Sequence, residues 1–144
     1  MVRMKKLLVL FLSVVVMASC TQYAKVQKSM DYDYKYELAK AYYMEGEYSQ
    51  ASSLLEDVLA FMKGTIYAEE SLYMLSMCYY NMKDYVTASH YFTTYYNTYP
   101  RGIYAEVARF MSARALYLDT PDPRLDQSST IRAIGEIQVF TEYY

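Results

Sequence analysis

The sequence predicts an all-α solenoid of about three helical hairpins, on three observations. Leu72 to Pro100 reads as two short amphipathic helices joined by the turn Asn81-Met82-Lys83-Asp84, with large residues at helical spacing and small ones, Ser76 and Ala88, between them. The same order of residues recurs 37 positions earlier, so that Ala51 corresponds to Ala88 and Leu38-Ala39 to Leu75-Ser76. No stretch alternates apolar and polar residues as a half-buried strand would.

Helices are expected at Tyr34–Met44, Tyr48–Met62, Ile66–Asn81, Tyr85–Tyr99, Tyr104–Leu118 and Thr130–Tyr144. In the first, Leu38, Ala39 and Tyr42 form the packing stripe. The second carries Tyr48, Ala51, Leu55 and Val58 and meets Lys63-Gly64, where glycine offers a helix end. Leu72, Leu75, Ser76 and Tyr79 mark the third, and Tyr85, Ala88, Phe92 and Tyr95 the fourth, which Pro100 stops. Repetition of Gly64-Thr65-Ile66-Tyr67-Ala68-Glu69 as Arg101-Gly102-Ile103-Tyr104-Ala105-Glu106 starts the fifth. Asp119 to Asp126 then interrupts the third hairpin: Pro121 and Pro123 cannot continue a helix, and Asp126 or Ser128 can cap the next. The loop moves the third alanine to Ala133.

This pattern, large-x-x-leucine-small-x-x-tyrosine followed by tyrosine, alanine, phenylalanine and proline, resembles the tetratricopeptide repeat. Its spacing here is about three residues longer than the usual ~34, and the extra residues fall in the connections Lys63 to Thr65 and Arg101 to Ile103. The repeats are placed at residues 34–64, 65–101 and 102–144. In that family the first helices of the hairpins line a concave surface.

Residues 1–19 are a targeting segment. Arg3, Lys5 and Lys6 form a basic end, and Leu7 to Met17 is apolar apart from Ser13, too short for a stable membrane anchor of about 20 residues. Met17-Ala18-Ser19-Cys20 resembles a bacterial lipobox, which implies that Cys20 is lipidated and becomes the new N-terminus. More than one acyl chain holds a soluble domain on a membrane, since each buried methylene adds roughly 0.8 kcal/mol. Thr21, where an acidic residue would favour retention, implies the outer membrane with the domain facing the periplasm. Residues 20–33 are polar and weakly periodic and read as a lipidated tether.

Removal of 19 of the 144 residues leaves 125, enough for one domain with a core. Without Arg3, Lys5 and Lys6 the 14 basic residues fall to 11 against 16 acidic ones, a net charge of −5, which argues against nucleic acid as a partner. With Cys20 acylated, Cys78 has no thiol to pair with and reads as a small buried residue.

Tyrosine stands out, with 20 residues and no tryptophan. Tyr42, Tyr48, Tyr79, Tyr85 and Tyr95 occupy core positions of the repeat. The concave positions of the first hairpin are Asp33, Tyr36, Lys40, Tyr43 and Met44. Those of the second are Glu70, Tyr73, Met77, Tyr80 and Asn81, and those of the third Val107, Phe110, Arg114 and Tyr117. Together they form an aromatic trough with a few charges, suited to an extended peptide because rings bury area at low entropy cost. The alternative is that these rings are packing, against the tether or against further hairpins.

Nothing points to catalysis. His90 faces away from the helix seam, no cysteine and histidine are paired, and no metal-ligand cluster, phosphate loop or serine elbow is present. No cofactor and no metal are expected, and the protein is read as a non-enzyme.

The lipobox, the repeats and the loop Thr120 to Ser129, with Tyr91-Phe92-Thr93 through Tyr99-Pro100 and Ile137-Gln138-Val139-Phe140, resemble the BamD family of lipoproteins of the β-barrel assembly machinery. That resemblance implies a scaffold of five repeats, the N-terminal ones receiving unfolded outer-membrane proteins by their C-terminal signal and the C-terminal ones docking on BamA and other subunits. Ile134, Ile137, Val139, Phe140 and Tyr143 do not make the polar cap that ends a solenoid, so a longer chain is expected. A different periplasmic tetratricopeptide lipoprotein, an adaptor for cell-envelope enzymes, and a glycan-binding uptake lipoprotein are the other classes left open.

Overall fold

The computed structural model describes residue 23 and residues 25–143, the Tyr143 side chain excepted. The expected signal segment 1–19, Cys20 and Tyr144 lie outside the described residues. From residue 32 on, six helices follow one another among the described residues: α1 Tyr32–Glu45, α2 Tyr48–Phe61, α3 Ile66–Asn81, α4 Tyr85–Thr98, α5 Ala105–Leu118 and α6 Ser128–Tyr143. Among the described residues there is no strand. Each helix packs on its predecessor and successor, and α1 also reaches α3. The chain is therefore an all-α tetratricopeptide-repeat solenoid of three hairpins.

Three of the helix starts are set by carboxylates. Asp31 accepts a bond from the Tyr34 amide at 3.0 Å, which begins α1 at Tyr32, two residues before its expected start. Asp84 does the same for α4 through Thr87 N–H at 3.2 Å. Asp126 accepts from the Ser128 amide at 3.1 Å and starts α6 at Ser128 instead of Thr130.

Two hairpin turns are the same motif with different residues. At the end of α1, Gly46 adopts φ 82°, with its amide on the Tyr43 carbonyl at 3.2 Å and the Glu47 amide on the Tyr42 carbonyl at 2.9 Å. That is the Schellman arrangement. At the end of α3 the amides of Lys83 and Asp84 bond the carbonyls of Tyr80 and Tyr79, at 3.1 and 3.0 Å, and Lys83 takes the left-handed conformation, φ 65°. Lysine there carries a Cβ that this region disfavours. Gly64, φ 85°, serves the connection after α2: the Thr65 amide closes a turn onto Met62 at 3.0 Å, and the helix itself ends at Phe61.

Small residues lie buried along the packing stripes: Ala39 and Ala51, Ser76 and Ala88, Ala113 and Ala133. Around them Leu54, Leu55, Val58, Leu75 and Cys78 form one cluster and Leu72, Phe92, Tyr95 and Met111 the next. Full burial of each such large side chain contributes about 1.5–3 kcal/mol. Burial also pushes the Cys78 thiol up to about 12, so it stays protonated and inert. Among the buried serines, Ser76 donates to the Leu72 carbonyl at 2.7 Å and Ser89 pairs with Ser112 at 3.0 Å, whereas the Ser71 hydroxyl has no partner.

Part of the stretch read as tether is packed: Val26 is buried and Tyr23 lies edge-on to Tyr42 at 5.9 Å. The physical reason is contact with the first hairpin, since Val26 supplies an apolar plug and the carbonyl of Gln27 takes a bond from the buried Lys35 ammonium at 2.9 Å.

Two substitutions test this account by urea denaturation. Lys83→Gly removes the left-handed penalty and is expected to raise stability by about 1 kcal/mol. Ser71→Ala removes an unbonded buried hydroxyl and is expected to raise it by up to about 1 kcal/mol; a loss in either variant contradicts the assigned geometry.

Candidate functional site

The first helices of the hairpins, α1, α3 and α5, carry the residues expected to form the trough, and the structure divides them into three groups. The first joins α1 to α3. Lys40 Nζ lies 2.9 Å from Glu70 Oε1, the Tyr36 hydroxyl donates to Glu70 Oε2, and the Lys40 ammonium sits 5.5 Å from the centre of the Tyr36 ring. Tyr36 is buried, its ring 4.7 Å from that of Tyr67. Burial, then the bond to Glu70, pushes the Tyr36 hydroxyl up to about 12. The bond from Tyr36 and the Lys40 ammonium hold the Glu70 carboxyl below its usual range, and Glu70 raises Lys40. Two opposite charges of the trough, Lys40 and Glu70, are thus spent on each other.

The second group, Asn81 excepted, is packed within and between hairpins. Tyr73 stacks on Tyr104 at 4.1 Å and 11° and meets Phe92 and Tyr95 edge-on at 6.1 and 5.9 Å. Tyr80 lies edge-on to Tyr85 at 5.6 Å, with the Arg114 guanidinium 5.8 Å from its ring centre. Met77 packs against the same cluster. Tyr43 contacts Tyr48 at 5.9 Å, and burial pushes its hydroxyl up to about 12. Asn81 is exposed, and its amide donates to the Met77 carbonyl of its own helix at 2.9 Å.

The third group is open. Phe110, Arg114 and Tyr117 are exposed on α5. With Ala113 of the same helix and Ile137, Phe140 and Thr141 of α6 they line a groove of about 470 Å³. Its walls are almost wholly apolar, Phe110 meets Phe140 at 5.8 Å, and Arg114 is the charged residue of the lining. Its place in the repeat is informative. Tyr36 packs on Tyr67 and Tyr73 on Tyr104, in each case a ring on one 31 positions ahead, at the start of the next hairpin. Phe110 stands where Tyr36 and Tyr73 stand on the first helix of its hairpin, and its ring borders the open groove across from Phe140.

A family model described as YfiO, outer membrane lipoprotein, matches residues 28–144, which include all six helices. The chain belongs to the YfiO family. No curated protein matches it. As a member of the YfiO family it is a lipid-anchored protein of the outer membrane. No helix among the described residues is long and apolar enough to cross a membrane. Nor do the described residues hold a group of three histidine, cysteine or acidic side chains placed for a metal ion. His90 is exposed, against the Tyr91 ring.

Sequence reasoning identified the α5 wall of the groove but assigned no binding role to Ile137, Phe140 and Thr141. The available signal was the run of exposed apolar residues on the last helix, Ile131, Ile134, Ile137 and Val139.

The ion pair between α1 and α3 gives a pH dependence of known sign. A carboxyl held below its ordinary range stabilises the fold above the free glutamate value of about 4.3, and the contribution disappears as pH falls through the lowered folded value. The Glu70→Gln variant is expected to be less stable than the parent at pH 7 and to approach it by pH 3. Thermal melts followed by circular dichroism at the two pH values check this.

Proposed function

We propose that this outer membrane lipoprotein is a scaffold of the β-barrel assembly machinery. In this reading it carries its lipid on Cys20, faces the periplasm and receives unfolded outer-membrane proteins through aromatic segments. BamA and other subunits of that machinery are its partners, nucleic acid is not, and binding without catalysis or cofactor is its task.

The observation that carries the reading is the groove between α5 and α6. Elsewhere in the solenoid the residues that match Phe110, Tyr36 and Tyr73, each pack on a tyrosine ring. Beside Phe110 the walls Ala113, Tyr117, Ile137 and Phe140 offer a place to a ring from another chain. Burial of an aromatic side chain supplies affinity at the cost of few rotatable bonds. The Arg114 guanidinium adds a donor fork matched to the carboxylate of a chain end. A peptide with a terminal aromatic residue satisfies both features at once.

The packed rings divide the expected trough by task. Tyr73 and Tyr80 hold hairpins together, so their truncation reads stability as well as binding. Phe110, Arg114 and Tyr117 are exposed, so their truncation reads binding.

The test is calorimetric titration of the protein in detergent with a peptide from the C-terminal strand of an outer-membrane β-barrel, against the same peptide lacking its terminal aromatic residue. Binding is expected to require that residue. Arg114→Ala is expected to weaken it about tenfold, near 1.4 kcal/mol, and Phe110→Ala at least as much, with melting temperatures unchanged. Binding indifferent to the aromatic residue, or to both substitutions, overturns the reading in favour of an adaptor for cell-envelope enzymes.

A further inference from the structure

The segment ahead of α1 is built into the first hairpin by one buried cation. Lys35, 4% exposed, places its ammonium 2.6 Å from the Asp57 carboxylate of α2 and 2.9 Å from the Gln27 carbonyl, with the Tyr32 ring centre at 5.4 Å. A buried ammonium needs every donor used, and the Gln27 carbonyl is within reach only when the segment lies along the hairpin. Gln27 Nε2 donates in turn to Ser53 Oγ of α2 at 3.3 Å, and Val26 is buried in the cluster formed by α1, α2 and α3.

These contacts give the segment a direction. Met30 lies beside the start of α1, whereas Tyr23 lies against Tyr42, in the last turn of that helix. The segment therefore runs antiparallel to α1. Tyr23 thus stands at the edge formed by the hairpin turns at Gly46 and Lys83. Cys20 is three residues before Tyr23, and three residues span at most about 11 Å. Along α3 the opposite edge is about 24 Å away, the length of a 16-residue helix at 1.5 Å per residue.

We infer that residues 23 and 25–30 are a clasp that decides which edge of the solenoid meets the lipid surface. An acylated Cys20 holds the hairpin-turn edge, with Met44, Met82 and Leu125, next to the bilayer. The opposite edge, where Met30, Ile66 and Ile103 are each at least 80% exposed, is turned towards the aqueous side. Without the clasp, the flexible reach between lipid and α1 would be that of some eleven residues from Cys20 to Asp31, and no edge would be preferred. The inference rests on the reading of Cys20 as the lipid-bearing residue.

The absence of tryptophan makes the test direct. Single tryptophans are introduced at the two ends of α3, as Met82→Trp and Ile66→Trp, in the full lipoprotein reconstituted into phosphatidylcholine vesicles containing brominated lipid. Quenching is expected to be several-fold stronger at position 82 than at position 66. Insertion of about twelve glycine and serine residues between Cys20 and Tyr23 leaves the fold untouched and is expected to abolish the difference, and Val26→Asp to reduce it. Equal quenching at the two positions, or a difference that survives the insertion, overturns the clasp. Mass spectrometry of the purified protein reports separately on the acyl groups of Cys20. If they are absent the anchor reading fails, and a phospholipid coupled to the Cys20 thiol through a maleimide carries the same orientation test.

Discussion

Close approach of helices at buried small residues is the constraint on which this structure depends. Ala39, Ala51, Ser76, Ala88, Ala113 and Ala133 are all nearly or wholly inaccessible, and they recur in the same order in each hairpin. A larger side chain at any of them would separate two helices and with them the rows of rings that stand beside the seam. The spacing of the first two units follows from this contact, and the third unit keeps the contact although the loop Asp119 to Gln127 lengthens its spacing. That loop is absorbed at the hairpin turn, so Ala133 still reaches the seam.

A second constraint follows from filling the space around those contacts with tyrosine. A phenol buries a large ring but brings a hydroxyl that must be bonded. The chain meets this demand with glutamates from other helices: Tyr36 with Glu70, Tyr79 with Glu56 at 2.6 Å, Tyr95 with Glu69 at 2.6 Å and Tyr96 with Glu136 at 3.1 Å. Each bond is charge-assisted and ties elements distant in sequence. For Tyr79 the carboxylate and for Tyr95 burial is the main reason that the hydroxyl is raised. Glu69 also accepts the Ile103 amide at 3.1 Å, so one carboxylate joins α3, α4 and the connection to α5. The acidic excess of the chain is in part the complement of its tyrosines, a role that net charge alone does not reveal.

The candidate site was legible in parts. Phe110, Arg114 and Tyr117 were identified from their register on the first helix of a hairpin, and the structure brings them together in one groove. Tyr73 and Tyr80 share that register, yet their rings are packed, Tyr73 on Tyr104 of the next hairpin and Tyr80 on Tyr85 of its own. Register states which face of a helix a residue occupies, but whether the neighbouring hairpin covers that face is a long-range fact. For the same reason the α6 wall carried no binding assignment, because Phe140 aligns with Tyr95, which is fully buried one hairpin earlier.

What the sequence by itself determined is the content of local periodicity and capping chemistry. Six helices, their order and the break at Pro121 and Pro123 all depend on residues within a few turns of one another, where spacing and backbone preference decide. Tertiary structure alone decided that Lys40 and Glu70 neutralise each other, that Val26 and Lys35 bind the preceding segment to the first hairpin, and that Tyr36 and Tyr73 pack on rings of the next hairpin whereas Phe110 lines a groove. These outcomes depend on distances between residues 8 to 34 positions apart in the chain, which packing sets and no local pattern encodes.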